Sequence, residues 1–390
     1  MSFGTLVLIV LAGLGGPLLA VVTGRFIPVV VGEIVAGILV GPAVLGSVDP
    51  ANITVATLGE IGFAMLMLTV GMQLPLRDRR LAASARKGGL LAGLVCVLAI
   101  PAGLLGADIA GSGHAAIYAV VLASGSAAVL LPAIEETGLA GAEVLSVMAQ
   151  VTIADIITIL AVPIVLQPGR VGHVALGGSY VAGAAVALFV LARLLSGHEW
   201  VHRLRHRSKR RRWALDLRLS LLVLFVLAWI AQKGGTSILI AGFAAGLMVA
   251  VIGGPKRLST QVRGIADGFF VPLYFVVLGA QLDLAGLVDH PALLALAGAL
   301  AVLNVAIHVL AALLVRQSLA AALTACAQLG VPAAVASLGL AEHLLSPVVA
   351  TAIVASALVS LAVCTAGVQM LAQAGAGADS GSVSGTPAAA

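Results

Sequence analysis

The sequence predicts an all-α integral membrane protein with about thirteen transmembrane helices, built as an inverted repeat in which two helices are interrupted. Three observations predict this. The chain is too apolar for water, its apolar segments recur at spanning length, and one short motif closes a segment in each half.

Of 390 residues, 61% are hydrophobic and only 9% are charged, with a mean hydropathy of +1.15. Water-soluble domains carry roughly 25% charged residues, so this composition excludes a soluble enzyme or a soluble nucleic-acid-binding module. The opening stretch "MSFGTLVLIVLAGLGGPLLAVV" has no basic region ahead of its apolar run and leads into further apolar segments. It reads as a first span rather than a cleaved signal. Cys96, Cys326 and Cys364 fall in separate apolar segments without ligand spacing, which argues for packing and against disulfides or a metal cluster.

Segments of about 20 apolar residues can each cross roughly 30 Å of hydrocarbon. Between charged or Gly/Pro-rich breaks they fall near 3–23, 26–45, 53–73, 88–106, 115–134, 143–166, 174–195, 214–232, 235–253, 264–281, 291–314, 318–340 and 346–372. Lys and Arg test this count, because cytoplasmic loops hold the excess. With the N-terminus outside, nineteen of the twenty-one fall on the inner side, including Arg25, Arg77 and nine between Arg193 and Arg218, and only Arg170 and Lys233 fall outside. That split supports an odd number of spans in a plasma membrane, N-terminus out and C-terminus in. The run "HRLRHRSKRRRW" at 202–213 then lies on the side where basic residues belong. It reads as a topological signal with some attraction for anionic lipid, not as a nucleic-acid patch. The spans occupy 1–373, and the Gly/Ser/Ala-rich 374–390 is expected to be disordered, with no soluble domain after the last span.

"VGMQLPL" at 70–76 and "LGAQLDL" at 278–284 both close a span, on opposite sides in this topology. Two related units of opposite orientation are the architecture of secondary transporters. One helix after each copy comes a segment interrupted at mid-depth, "ASGSAAVLLPAIEETG" around Pro132 and "TACAQLGVPAAVASLG" around Gly330 and Pro332. Unwound backbone at that depth is tolerated only where it is buried in protein or lines a polar cavity, so the pair points to a central site. The alternative is two proline kinks with no ligand.

One helix after the first interruption, "VTIADIITIL" places Asp155 at the middle of a span. An intramembrane carboxylate is costly and marks a functional site by default. Thr152 and Thr158 stand three residues to either side, so the three share a face. Stripped of water, such a carboxylate holds either a proton or a cation, which is the competition an exchanger needs. The alternative is a structural aspartate bonded to backbone freed by the break. Ser124 and Ser126 can offer oxygens to a hard cation such as sodium. Glu33 and Glu60 sit nearer helix ends, where snorkelling or a backbone bond is cheap, and read as structural. Asn304 and His308, four apart on one helix face, precede the second interruption; His308 titrates in the neutral range when unperturbed, and the packing reading is favoured for it.

At this point the residues resemble a known family. "PVVVGEIVAGILVGPAVLG", "LGEIGFAMLMLTVGMQLPL", "SGSAAVLLP", the aspartate helix and "GFFVPLYFVVLGAQLDL" are similar, in order and spacing, to the monovalent cation:proton antiporter superfamily, particularly its bacterial sodium/proton and potassium-efflux branch. The resemblance covers nearly the whole chain. It implies a thirteen-helix inverted-repeat fold, a homodimer, two interrupted helices crossing beside an essential aspartate at the position of Asp155, and elevator-type transport.

Three departures stand out. The acidic residue that many charge-unbalanced members carry before the aspartate is Ala154, which points to electroneutral exchange. The basic partner of the acidic site is replaced by Asn304, and the Arg-Gly-Glu motif of the second interrupted helix by "CAQLGVPAA", where Gln328 is the only strongly polar side chain. The appended nucleotide-binding domain of potassium-efflux members does not follow, so gating by a nucleotide is not expected.

The resulting expectation is a proton-coupled antiporter for sodium ahead of potassium, not an enzyme and without cofactor or resident metal. Its ion and proton site would be Asp155, Thr152, Ser124, Ser126 and Asn304. The runner-up is the same scaffold recruited as a membrane-embedded enzyme or carrier for an apolar molecule, with Asp155 as acid or base; a third reading is export of an organic ion.

Overall fold

The computed structural model describes residues 2–22, 28–74, 79–196, 198–211, 213–252 and 256–383, and its regular elements are all helical. Arg25, Arg77, Arg212 and the closing Pro75 and Leu76 of the first repeat motif lie outside these residues. Among the described residues ten helical stretches are long and apolar enough to cross a membrane, and three shorter apolar stretches, Val29–Val40, Ala115–Leu131 and Ile238–Ile252, fall where the remaining spans are expected. All thirteen expected segments have a counterpart, and Ile53–Gln73 and Pro291–Leu314 agree to the residue. Hydropathy is a local property, and backbone in hydrocarbon must satisfy itself by helix formation.

The second segment is shorter than expected. Its helix, Val29–Val40, begins after Pro28 and stops at Gly41, whose extended backbone precedes Pro42. A residue ahead of proline is pushed out of the helical region. The last helix, Pro347–Val383, includes 374–383 of the segment assigned beyond the spans; 384–390 lie outside the described residues. The basic run forms the helix Glu199–Arg211, with Arg203 paired to Glu199 at 3.6 Å.

The chain divides into two compact units. The first comprises 1–77, 159–290 and 333–351. In it Val29–Val40 crosses Val271–Ala280 closely, where a Cβ on Gly37 would strike the Val276 carbonyl and one on Gly279 the Ile34 carbonyl. Small residues let backbones approach closely where no hydrophobic driving force separates helix from lipid. Ile9, Val55, Leu273, Val276 and Val277 fill the core beside it, and the Phe63 and Tyr274 rings stack at 5.2 Å.

The second unit comprises 78–158, 291–332 and 352–390 and contains both interruptions. They differ from expectation in position. The first falls at Ser124–Ser126, between Ala115–Ala123 and Ala127–Thr137; the helix runs through Pro132. Ser-Gly-Ser suits a break, because serine hydroxyls compete for nearby backbone and glycine is a poor helix former, and Ser124 Oγ donates to the Val121 carbonyl at 2.7 Å. The second falls between Leu319–Ala325 and Gly330–Ala341, just ahead of Gly330. Pro332 sits in the first turn of the resumed helix, where its missing N–H has no intrahelical partner to lose.

Candidate functional site

Asp155 stands mid-way along Ala142–Leu166 and is only 2% exposed. Its Oδ2 accepts the N–H of Ala127 at 2.9 Å. Ala127 opens the helix after the first break, so its N–H is one of four that a helix start leaves without an internal partner. The carboxylate thus faces the positive end of a helix dipole. Gly125 makes this approach possible: a Cβ there would come within 2.9 Å of Val151 Cγ1 and 3.0 Å of Val151 O, one turn before Asp155. Ser126 precedes the helix without a capping bond from its side chain, so the carboxylate takes over that work from a sequence-distant helix.

Ser124, Ser126 and Thr152 are buried in the same unit, on the break and on the Asp155 helix. The hydroxyl of Thr158, also buried, turns back to donate to the Ala154 carbonyl at 2.7 Å and the Asp155 carbonyl at 3.3 Å, so it serves its own backbone rather than the carboxylate.

Asn304 has a different set of partners. Its Nδ2 donates to the Cys326 carbonyl at 3.0 Å and to Ser360 Oγ at 2.9 Å, and its Oδ1 accepts from Gln328 Nε2 at 2.9 Å. Gln328 Nε2 also donates to the Val121 carbonyl at 2.8 Å and the Leu122 carbonyl at 3.2 Å. Two amides therefore satisfy carbonyls where helices stop at both breaks, the C-terminal counterpart of the orphan N–H at Ala127. His308 Nδ1 lies 2.9 Å from the Asn304 carbonyl, which can only accept, so this nitrogen carries the proton. The packing reading of His308 fits that geometry.

The structure brings Asp155 to the first break through the Ala127 N–H, with Ser124 Oγ turned to the Val121 carbonyl, whereas Asn304 bonds the second break through Cys326 and Gln328. Sequence reasoning placed Gln328 outside the site; its signal was being the sole strongly polar side chain in "CAQLGVPAA". Ser360, which also accepts from Asn304, had no such signal. A cleft of about 660 Å³ lies in the first unit, lined among others by Glu60, Asp283, Gln281 and Tyr274, and Asp155 is not part of its wall. Among the described residues no three His, Cys, Asp or Glu side chains gather as metal ligands.

Comparisons with known proteins add to this geometry. The family profile described as "Sodium/hydrogen exchanger, transmembrane" matches residues 6–374. A glutathione-regulated potassium-efflux system protein KefC from Salmonella paratyphi B is 28% identical over 287 residues, covering 70% of this chain and 44% of the relative. KefC from Salmonella arizonae is 27% identical over the same shares. The chain thus spans less than half the length of these relatives. Among solved structures, the sodium proton antiporter MjNhaP1 from Methanocaldococcus jannaschii at pH 8 superposes with a TM-score of 0.62 at 18% identity, covering 95% of this chain and 98% of that one. That likeness shows the all-helical inverted-repeat antiporter fold.

Proposed function

Because the chain belongs to the sodium/hydrogen exchanger family, a family of cation:proton antiporters, we propose that it exchanges protons for a monovalent alkali cation at Asp155. The observation that carries this is the buried carboxylate bonded through one oxygen to the start of a broken helix. Oδ2 accepts the Ala127 N–H, and the carboxylate's remaining lone pairs are the sites for a proton or a cation. Hydroxyls of Ser126 and Thr152 and the carbonyls of Ser124 and Gly125 are the neutral oxygens suited to complete a cation shell; the Ser126 carbonyl already accepts the N–H groups of Val129 and Leu130.

The exchange is balanced in one turn: a proton leaves Asp155 as the cation takes its place on one side, and the reverse happens on the other. With Ala154 beside it, one carboxylate carries one charge in each direction, so the exchange is electroneutral. Elevator-type alternating access, a homodimer, and a plasma-membrane topology with N-terminus outside and C-terminus inside belong to the same proposal and rest on the family and the Lys/Arg distribution.

Sodium is the cation expected from the sequence. Potassium is the second reading, favoured by the name of the KefC relatives. The test is the decay of a pH gradient in proteoliposomes on adding sodium, potassium or lithium, with wild type beside Asp155→Asn. Collapse by one cation in wild type and not in the variant supports the proposal and identifies the cation. A folded wild type that responds to none across a wide pH range overturns it.

A further inference from the structure

Glu33 does neither of the things expected of it. It is the fifth residue of Val29–Val40 and 3% exposed, so its carboxyl is held away from water, and among the described residues its Oε2 has no hydrogen-bond partner. An ionised carboxylate stripped of water and left unpaired is among the most expensive groups a protein can bury.

The surroundings narrow what this carboxyl can hold. Gly16 presses against it: a Cβ on Gly16 would come within 2.8 Å of Glu33 Cγ and 2.5 Å of the Val29 carbonyl. Phe3–Gly13 and Gly15–Val22, which pack on the Glu33 helix, carry no titratable side chain. Val271–Ala280, on the other side, contributes only Tyr274, whose hydroxyl donates to the Ala333 carbonyl at 3.0 Å. The acid that acts electrostatically on Glu33 is Asp267. It sits exposed in the widened turn Ala266–Phe270, where the Val271 N–H reaches back five residues to the Ala266 carbonyl, and it interacts in turn with the exposed Arg263. Arg25 lies outside the described residues.

A metal cation needs several oxygens and room for them, and among the described residues the groups pressed against Glu33 at Gly16 are backbone and the apolar stem of Val29. A proton needs one oxygen. Wide turns of this kind recur at functional sites in helices, and here one carries the exposed Asp267, whose charge acts on Glu33.

We propose that Glu33 is a second proton-binding site of this chain, loaded from and discharged to the membrane surface through Asp267. Loading forms one O–H bond on Glu33 and takes up one proton from the Asp267 side; discharge returns it. Nothing is oxidised, and no cation is required. The site belongs to the first unit and does not depend on what Asp155 exchanges.

The test is infrared difference spectroscopy of the full chain in lipid across a pH series, reading the carbonyl stretch of protonated carboxyl groups. Loss of one such band in Glu33→Gln, with that band kept in Asp155→Asn, is the expected result, and in Asp267→Asn the pH at which the Glu33 band disappears should move. A folded Glu33→Gln with the full set of bands overturns the site. An unmoved titration in Asp267→Asn overturns the route. Where Glu33→Gln fails to fold, Glu33→Asp decides: a displaced band supports the site and an undisplaced set overturns it. Failure of cation exchange at Asp155 would leave the Glu33 band in place, so the two proposals fail separately.

Discussion

Asp155 Oδ2 and the Ala127 nitrogen stand 2.9 Å apart, so a carboxylate mid-way along one helix caps the start of another that begins at a break. Asparagine keeps an acceptor oxygen at this position and loses the charge. Asp155→Asn should therefore remain folded, with an unchanged elution profile in detergent, and should show no cation-driven proton flux. Asp155→Ala removes the acceptor as well and should lower stability by about 1–3 kcal/mol, the cost of a buried donor left unsatisfied. Thermal unfolding of the two variants side by side checks this; equal losses would mean that the bond to Ala127 does not matter.

Proton and cation sharing one carboxylate compete. The apparent KM for the cation should rise about tenfold for each unit of pH below the range where Asp155 is free of protons, with the maximal rate unchanged. Initial rates over a matrix of pH and cation concentration give the answer, and a KM independent of pH would separate the two ligands onto different groups.

Gln328 donates to Val121, Leu122 and Asn304, all buried. Gln328→Ala should leave the Leu122 carbonyl and Asn304 Oδ1 without this donor, while the Val121 carbonyl keeps Ser124, and cost about 1–3 kcal/mol. It should also raise the cation KM more than it lowers the maximal rate, because the end of the helix before the first break loses its anchor. Unfolding temperature and transport kinetics on the same preparation separate these effects.

Gly125→Ala brings a Cβ within 2.9 Å of Val151 Cγ1 and 3.0 Å of its carbonyl. The carbonyl cannot move without moving the Asp155 helix, so the break should be pushed away from the carboxylate at about 1–3 kcal/mol, with transport falling by an order of magnitude or more. Gly93→Ala, where nothing stands within 4 Å of the added carbon, is the control and should transport as wild type does.

Pro332 lies in the first turn of Gly330–Ala341 and does not make the break. Pro332→Ala should leave transport within about twofold of wild type, since the restored N–H occupies a position without an intrahelical partner. A large loss would show that the proline itself holds the backbone open.

Sequence by itself determined the thirteen apolar segments and the place of Asp155 among them, because span length and the isolation of a charge in an apolar run are local properties of the chain. It also located both interrupted segments, though through their prolines, which mark where a helix is strained and not where it stops. Tertiary structure decided the rest. Ser124–Ser126 became the break because Gly125 lets that backbone lie against Val151. Asn304 joined the second break because the Cys326 carbonyl and the Gln328 amide are there to bond it. Gln328 found its acceptor on Val121, 207 residues away. Among the described residues Glu33 ended without a partner for Oε2, and Phe3–Gly13 and Gly15–Val22 against it carry no titratable side chain. A buried polar group takes its role from the backbone brought to it, and in this fold that backbone comes from helices far apart in the sequence.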